Sequence, residues 1–169
     1  MKDHIDMIMF QFEYLNKNKM KNLTQFLRNF REFLEKIRKD IPMGIETRNG
    51  NYLKTLYFEF LYSNKLYHVF SERKYMPHVW EVYDKYHEYI RDKALIRLLG
   101  GMRKEIESKT NKEWNKIVIP RDEELGRIAG MVNDMLSRNI DVIVNVNNHY
   151  EGSAPITIER LKRKISGNH

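Results

Sequence analysis

Five times along this chain a short apolar run gives way to a stretch of helical period, and few folds accommodate that rhythm. The runs 5–14 (IDMIMFQFEY), 43–47 (MGIET), 65–71 (KLYHVFS), 94–99 (ALIRLL) and 141–147 (DVIVNVN) have the length and the apolar content of strands. After the first, Leu23, Phe26, Leu27, Phe30, Leu34 and Ile37 recur at helical spacing, with Asn22 and Gln25 placed as in a capping box. Leu53, Leu56, Tyr57, Phe60 and Leu61 mark a second helix. Val79, Trp80, Tyr83 and Tyr86 mark a third, starting just after Pro77. Asp122 caps a fourth, which carries Leu125, Ile128, Ala129, Val132, Met135 and Leu136. Ser153 and Pro155 open a last one through Ile158, Leu161 and Ile165. Near-continuous apolar strands alternating with helices predict an α/β fold of parallel βα units. Right-handed crossovers lay successive strands side by side. The segment 100–120 reads as a long loop on the carboxyl side of the sheet, where α/β proteins gather their sites.

Residues two apart on a strand share a face. That rule groups Met9, Gln11 and Glu13 against Phe10, Phe12 and Tyr14, and Gly44, Glu46 and Arg48 against Ile45 and Thr47. It likewise groups Leu95, Arg97 and Leu99, and sets Ile143, Asn145 and Asn147 against Val142, Val144 and Val146. One face thus turns polar toward the carboxyl ends, while the other is apolar and suits covering helices. Buried charge is costly unless paired, so Gln11, Glu46, Arg48, Arg97 and Asn145 are expected to converge in one hydrogen-bonded cluster. Such a cluster either satisfies itself inside the fold or receives a ligand. Two guanidinium groups beside amides suit phosphate or carboxylate, which they grip in planar, bidentate pairs.

Composition narrows the function classes. At 169 residues the chain has the size of one domain, and 41% hydrophobic against 31% charged residues fits a folded protein. Thirty basic residues against 23 acidic ones give a net charge of +7, which permits an anionic partner, nucleic acid or a phosphorylated small molecule. The absence of cysteine excludes disulfides and thiolate metal sites and makes a reducing cytoplasm the expected setting. The start, MKDHIDMIMFQFEYL, carries charges inside its apolar run and does not read as a signal peptide. No apolar run approaches the ~18 residues of a membrane span, so no membrane partner is expected. The six histidines show no paired metal spacing, and no metal is expected; the cofactor is left open by the sequence. Trp80, at helical spacing, reads as core; Trp114, in the long segment, is open to core packing or base stacking.

Five stretches taken in order resemble a known family. MFQFEYLNK (9–17), GIETRN (44–49), HVFSERKYMP (68–77), LIRLLGGMRKEIESKTNKEWNKIVIPRDEEL (95–125) and DVIVNVNNHYEGSAPITIERL (141–161) look like the YecE-like family, domain of unknown function seventy-two. The resemblance implies a TIM-barrel-like fold with a polar site at the carboxyl ends of the strands. It also picks out Gln11, Glu46, Arg48, Arg97, Asn145, Asn147, Asn148 and His149 as motif positions. Two departures stand out. Where the family shows Arg-x-His-Gly, this chain has Leu99 in place of the histidine. The family's opening glycine–tryptophan motif and first three strands are also missing, so residues 1–169 are expected to be a single truncated domain, the carboxyl-terminal part of the barrel.

About five parallel strands with flanking helices make a partial TIM-barrel-like unit, a barrel not closed by this chain alone. Its open edges would then pair with a second chain or with another copy that supplies the missing strands. Three functions remain open on this reading. The intact site binds or processes an anionic, phosphorylated ligand at the barrel mouth. In that case Arg48 and Arg97 hold the anion, Glu46 orients Arg48 or acts as general base, His149 joins it in proton transfer, and Gln11, Asn145, Asn147 and Asn148 bind ligand. Alternatively the chain is a non-catalytic, basic nucleic-acid-binding module, or an inactive fragment that needs a partner chain.

Overall fold

The computed structural model describes residues 5–37, 40–101 and 103–167. The elements run β1 (Ile8–Gln11), α1 (Leu23–Leu34), β2 (Met43–Glu46), α2 (Thr55–Ser63), β3 (Leu66–Arg73), α3 (Val79–Tyr86), β4 (Lys93–Gly100), α4 (Arg103–Thr110), α5 (Asp122–Ser137), β5 (Asp141–Val146) and α6 (Ala154–Ser166). Short 3₁₀ turns at Gly50–Tyr52 and His87–Tyr89 precede α2 and β4. The five strands form one sheet in the order β1-β2-β3-β4-β5, with all neighbours parallel, as the strand–helix alternation predicts. The described sheet does not close on itself: β1 pairs only with β2, and β5 only with β4.

The apolar strand faces pack against the helices. Phe10 and Phe12 meet Phe26, Phe30 and Phe33 of α1 edge-on, with ring centroids 5.0–5.9 Å apart. Ile45, Ile96 and Leu98 are fully buried, with Leu125, Ile128 and Met135 of α5 beside them in one core. Each such side chain stabilises the fold by about 1.5–3 kcal/mol.

Local chemistry explains most of the boundaries. Asn22 caps α1 by accepting the Gln25 N–H at 2.9 Å. The Gln25 side chain accepts from Lys21 N–H rather than from Asn22, one residue earlier than a capping box requires. Leu53 lies in the turn before α2, not in the helix, and Asp122 is the first residue of α5 rather than its cap. The first strand is shorter than its apolar run. Beyond Gln11, Phe12 N–H still donates to Glu46 O at 2.9 Å, and then the Asn49 side chain takes over. That amide accepts from Leu15 N–H at 2.8 Å and donates to Leu15 O at 2.9 Å.

The segment expected to be one long loop contains α4. This helix has only Ile106 and Thr110 buried, so it carries no apolar period. It is held instead by the pairs Arg103–Glu107 and Glu105–Lys109 four residues apart, at 2.8 and 2.7 Å.

Candidate functional site

The polar residues lie on the strand face opposite the one that carries Phe10, Ile45, Ile96 and Leu98 against the helices. Strand register sets Gln11 beside Glu46 and Arg97 beside Asn145, with Ser71 on the other side of Arg97. Glu46 is fully buried, and its Oε2 accepts a charge-assisted hydrogen bond from Arg97 Nη1. The same nitrogen lies 3.2 Å from Gln11 Oε1 and 3.8 Å from Met9 Sδ. Glu46 therefore pairs with Arg97, two strands away, and not with its strand neighbour Arg48.

Three polar atoms of this cluster are buried without a partner among the described residues: Glu46 Oε1, Arg48 Nε and Ser71 Oγ. A further guanidinium joins them. Arg73, at the end of β3, is held below the usual arginine range by burial, then by the like charges of Arg48 and Arg97, against the opposing pull of Glu46. Three guanidinium groups thus share this face with the buried carboxylate of Glu46; Glu13 also draws on Arg48 but is itself paired with Lys19, so two positive charges stay unbalanced. Beside Arg73 the neighbouring strand carries a β-bulge. Glu72 aligns with Leu98 but Arg73 with Gly100, so Leu99 is the extra residue on β4. Bulges re-aim side chains beside sites. Gly100 takes φ +71, and a Cβ there would lie 2.2 Å from His149 O. Only glycine allows both the left-handed backbone and that approach.

A second group lies at the rim. His149 Nδ1 is 2.7 Å from Asn147 Oδ1, and Nε2 is 3.1 Å from Glu107 Oε1. Trp114 meets the imidazole edge-on at 5.0 Å. Glu107 is held below its usual pKa, first by the hydrogen bond from Arg103 and then by that from His149. Neither Glu107 nor His149 bonds to the Arg97 cluster among the described residues.

The sequence-predicted residues therefore separate. Gln11, Glu46 and Arg97 are bonded together, and Arg48 stands beside them. Asn145 adjoins Arg97 on the sheet and is exposed. Asn147 and His149 form the rim pair. Asn148 turns away from the polar face: its Oδ1 accepts from Ala154 N–H at 2.8 Å, at the start of α6.

Glu151 is a structural tie. It is fully buried and accepts from Arg121 N–H at 2.7 Å, from Thr157 Oγ1 at 2.8 Å and from Arg160 Nη1. Its carbonyl accepts from Val118 and Ile119 at 2.8 and 3.1 Å, while Arg121 Nε donates to Tyr150 O at 2.9 Å. Arg73, Ser71 and Glu107 were missed from the sequence. Extending the alternation of Tyr67, Val69 and Ser71 by one step would have placed Arg73 on the polar face.

Comparison with known families follows from this fold. The family model described as Protein of unknown function DUF72 matches residues 1–169. This chain belongs to the DUF72 family. Among curated proteins there is no match. A crystal structure of a DUF72 family protein from Thermotoga maritima MSB8 is similar with a TM-score of 0.62 and 18% identity, over 99% of this chain and 59% of that one. A DUF72 family protein from Enterococcus faecalis V583 is similar at 0.62 and 16%, over 94% of this chain and 58% of that one. The chain thus spans less than two thirds of the length of these solved DUF72 structures. Likeness at such identity establishes the fold alone. Leu99, where a family histidine was expected, is the half-buried bulge residue between Arg97 and Gly100.

Proposed function

We propose that the polar face of the sheet binds a small dianion, a phosphorylated compound above all, through Arg48, Arg73 and Arg97. The observation that carries this reading is the gathering of three guanidinium groups about the buried carboxylate of Glu46, with Arg48 Nε unpartnered among the described residues and the nearby Glu13 spent on Lys19. A cluster built only for its own stability would match its charges, since uncompensated buried charge is expensive. A phosphate monoester carries about −1.5 to −2 charge at neutral pH, which suits this excess. In this reading Glu46 fixes the guanidinium of Arg97, and Gln11 and Asn145 hydrogen-bond the ligand. The His149–Glu107 pair, with Asn147, is the proton-transfer group at the rim, and Asn148 shapes the turn that carries it. The same reading treats the chain as a cytoplasmic, carboxyl-terminal barrel portion. The outer edges of β1 and β5 are where a second chain or copy adds to the sheet.

Titration calorimetry with inorganic phosphate tests the anion site. Arg48 Nε has no hydrogen-bond partner among the described residues, so with Arg48→Gln the fold should persist while phosphate affinity falls about tenfold, as expected for one lost charge-assisted contact. Equal affinity in the two proteins would refute the assignment. Oligonucleotide binding that weakens steeply with salt and ignores Arg48→Gln would instead support a surface-charge mode.

A further inference from the structure

Between the β3–α3 and β4–α4 connections lies a cavity of about 370 Å³, lined by Glu72, Arg73, Tyr75, His78, Arg121 and Tyr150 among others. Arg73 lines this cavity and also interacts with Arg48, Glu46 and Arg97, so one guanidinium is common to the two. The volume falls at the small end of ligand sites and fits a single-ring compound rather than a polymer.

Tyr150 is the informative residue. It is fully buried, yet its hydroxyl has no hydrogen-bond partner among the described residues. An unsatisfied buried hydroxyl is destabilising, and phenylalanine would avoid that cost. Burial also raises the phenol's pKa, so the hydroxyl stays protonated and able to donate.

Across the cavity, Glu72 is committed at both oxygens, to His78 Nδ1 at 2.8 Å and to Val79 N–H at 3.0 Å. With Nδ1–H donated to that carboxylate, Nε2 of the imidazole is the nitrogen left to accept a hydrogen bond from a hydroxyl group. The ring is fixed further by stacking on Trp80 at 4.3 Å. Arg121 is likewise held, by Nε to Tyr150 O at 2.9 Å. The cavity therefore offers a rigid phenol donor and a rigid imidazole acceptor beside the arginines. Such a pair matches hydroxyl groups, which both give and take hydrogen bonds.

Resting on the anion-binding reading above, we propose that the bound anion is the phosphate of a small hydroxylated phosphate ester, a sugar phosphate, whose hydroxyl-bearing part occupies this cavity against Tyr150 and His78. The test compares inorganic phosphate, ribose and ribose 5-phosphate by calorimetry, on the native full chain and on Tyr150→Phe. Ribose 5-phosphate should bind the native chain at least about tenfold tighter than phosphate, the worth of one or two added hydrogen bonds. Ribose alone should not bind measurably. Tyr150→Phe should lose most of that advantage while keeping phosphate affinity and melting no lower than the native chain. Equal affinity of the native chain for phosphate and ribose 5-phosphate would overturn the proposal, as would an undiminished advantage in Tyr150→Phe. Arg48-dependent phosphate binding would then still stand, so failure of the sugar site is separable from failure of the anion site. Absence of binding by phosphate and ester alike would overturn both.

Discussion

His68 gives the fold a built-in sensitivity to acid. It sits on the helix-facing side of β3, almost wholly buried, with Tyr57, Phe58 and Phe70 around it at ring distances of 5.6, 5.2 and 4.6 Å. Its Nδ1 lies 3.1 Å from Tyr57 Oη, and among the described residues no carboxylate offsets a charge on the ring. Burial therefore lowers its pKa to about 3. In the unfolded chain the value is about 6.5. As pH falls below 6.5 the unfolded state takes up a proton that the folded state refuses, so stability present above that pH drains away toward pH 3. At about 1.36 kcal/mol per pH unit, the loss by pH 4.5 amounts to about 3 kcal/mol. Urea denaturation followed by circular dichroism at pH 7.5, 6.0, 5.0 and 4.5 measures it. Other groups titrate in the same window, so the comparison is with His68→Asn, which keeps an acceptor near Tyr57 but cannot be protonated. The variant starts less stable because it is smaller. Its deficit should shrink by about 3 kcal/mol between pH 7.5 and 4.5. Parallel stability curves for the two proteins would show that the buried imidazole does not govern the acid limb.

The Arg97–Glu46 pair should behave as a coupled unit: Arg97→Met strands a fully buried carboxylate and should cost about 3–5 kcal/mol by denaturant titration, while adding Glu46→Gln should recover most of it. Additive losses in the double variant would disprove the coupling. Gly100→Ala should destabilise by about 2 kcal/mol or more, because φ +71 and the His149 carbonyl 2.2 Å from the new Cβ both oppose it. A thermal melt within a degree of the native chain would contradict that geometry.

Strand alternation made Gln11, Glu46 and Arg97 legible in the sequence, because a period of two fixes which side chains share a face wherever the strand is straight. It missed Arg73 because the residues ERKYMP look like loop chemistry and the run was ended at Ser71, whereas β3 continues to Arg73 with the same period of two. Sequence nearness also misdirected one pairing. Glu46 and Arg48 are two residues apart, yet Glu46 reaches Arg97 instead. That choice is made by the order and stagger of three strands, which no local pattern encodes. Helix α4 was hidden for a different reason: its stability comes from charge pairs on its surface and a single buried Ile106, not from an apolar stripe. Tyr150 and His78 line one cavity only because separate connections meet, a relation invisible in either segment alone. Asn148, by contrast, looked like one more amide of the site and is spent holding the first turn of α6.

The ties around Glu151 have a mechanical consequence. Its carbonyl gathers Val118 and Ile119, its carboxylate gathers Arg121, Thr157 and Arg160, and the neighbouring His149 carbonyl fills the space that Gly100 leaves open. The end of β4, the stretch leading into α5 and the turn into α6 are thus clamped at one point. Loops at the mouth of an α/β sheet are commonly free to move one by one. Here a shift of the 149–152 turn would have to drag the starts of two helices with it. The carboxyl rim is therefore closer to a keystone than to a set of flaps: it can present His149 and Tyr150 in fixed positions, and it has little freedom to fold down over whatever arrives.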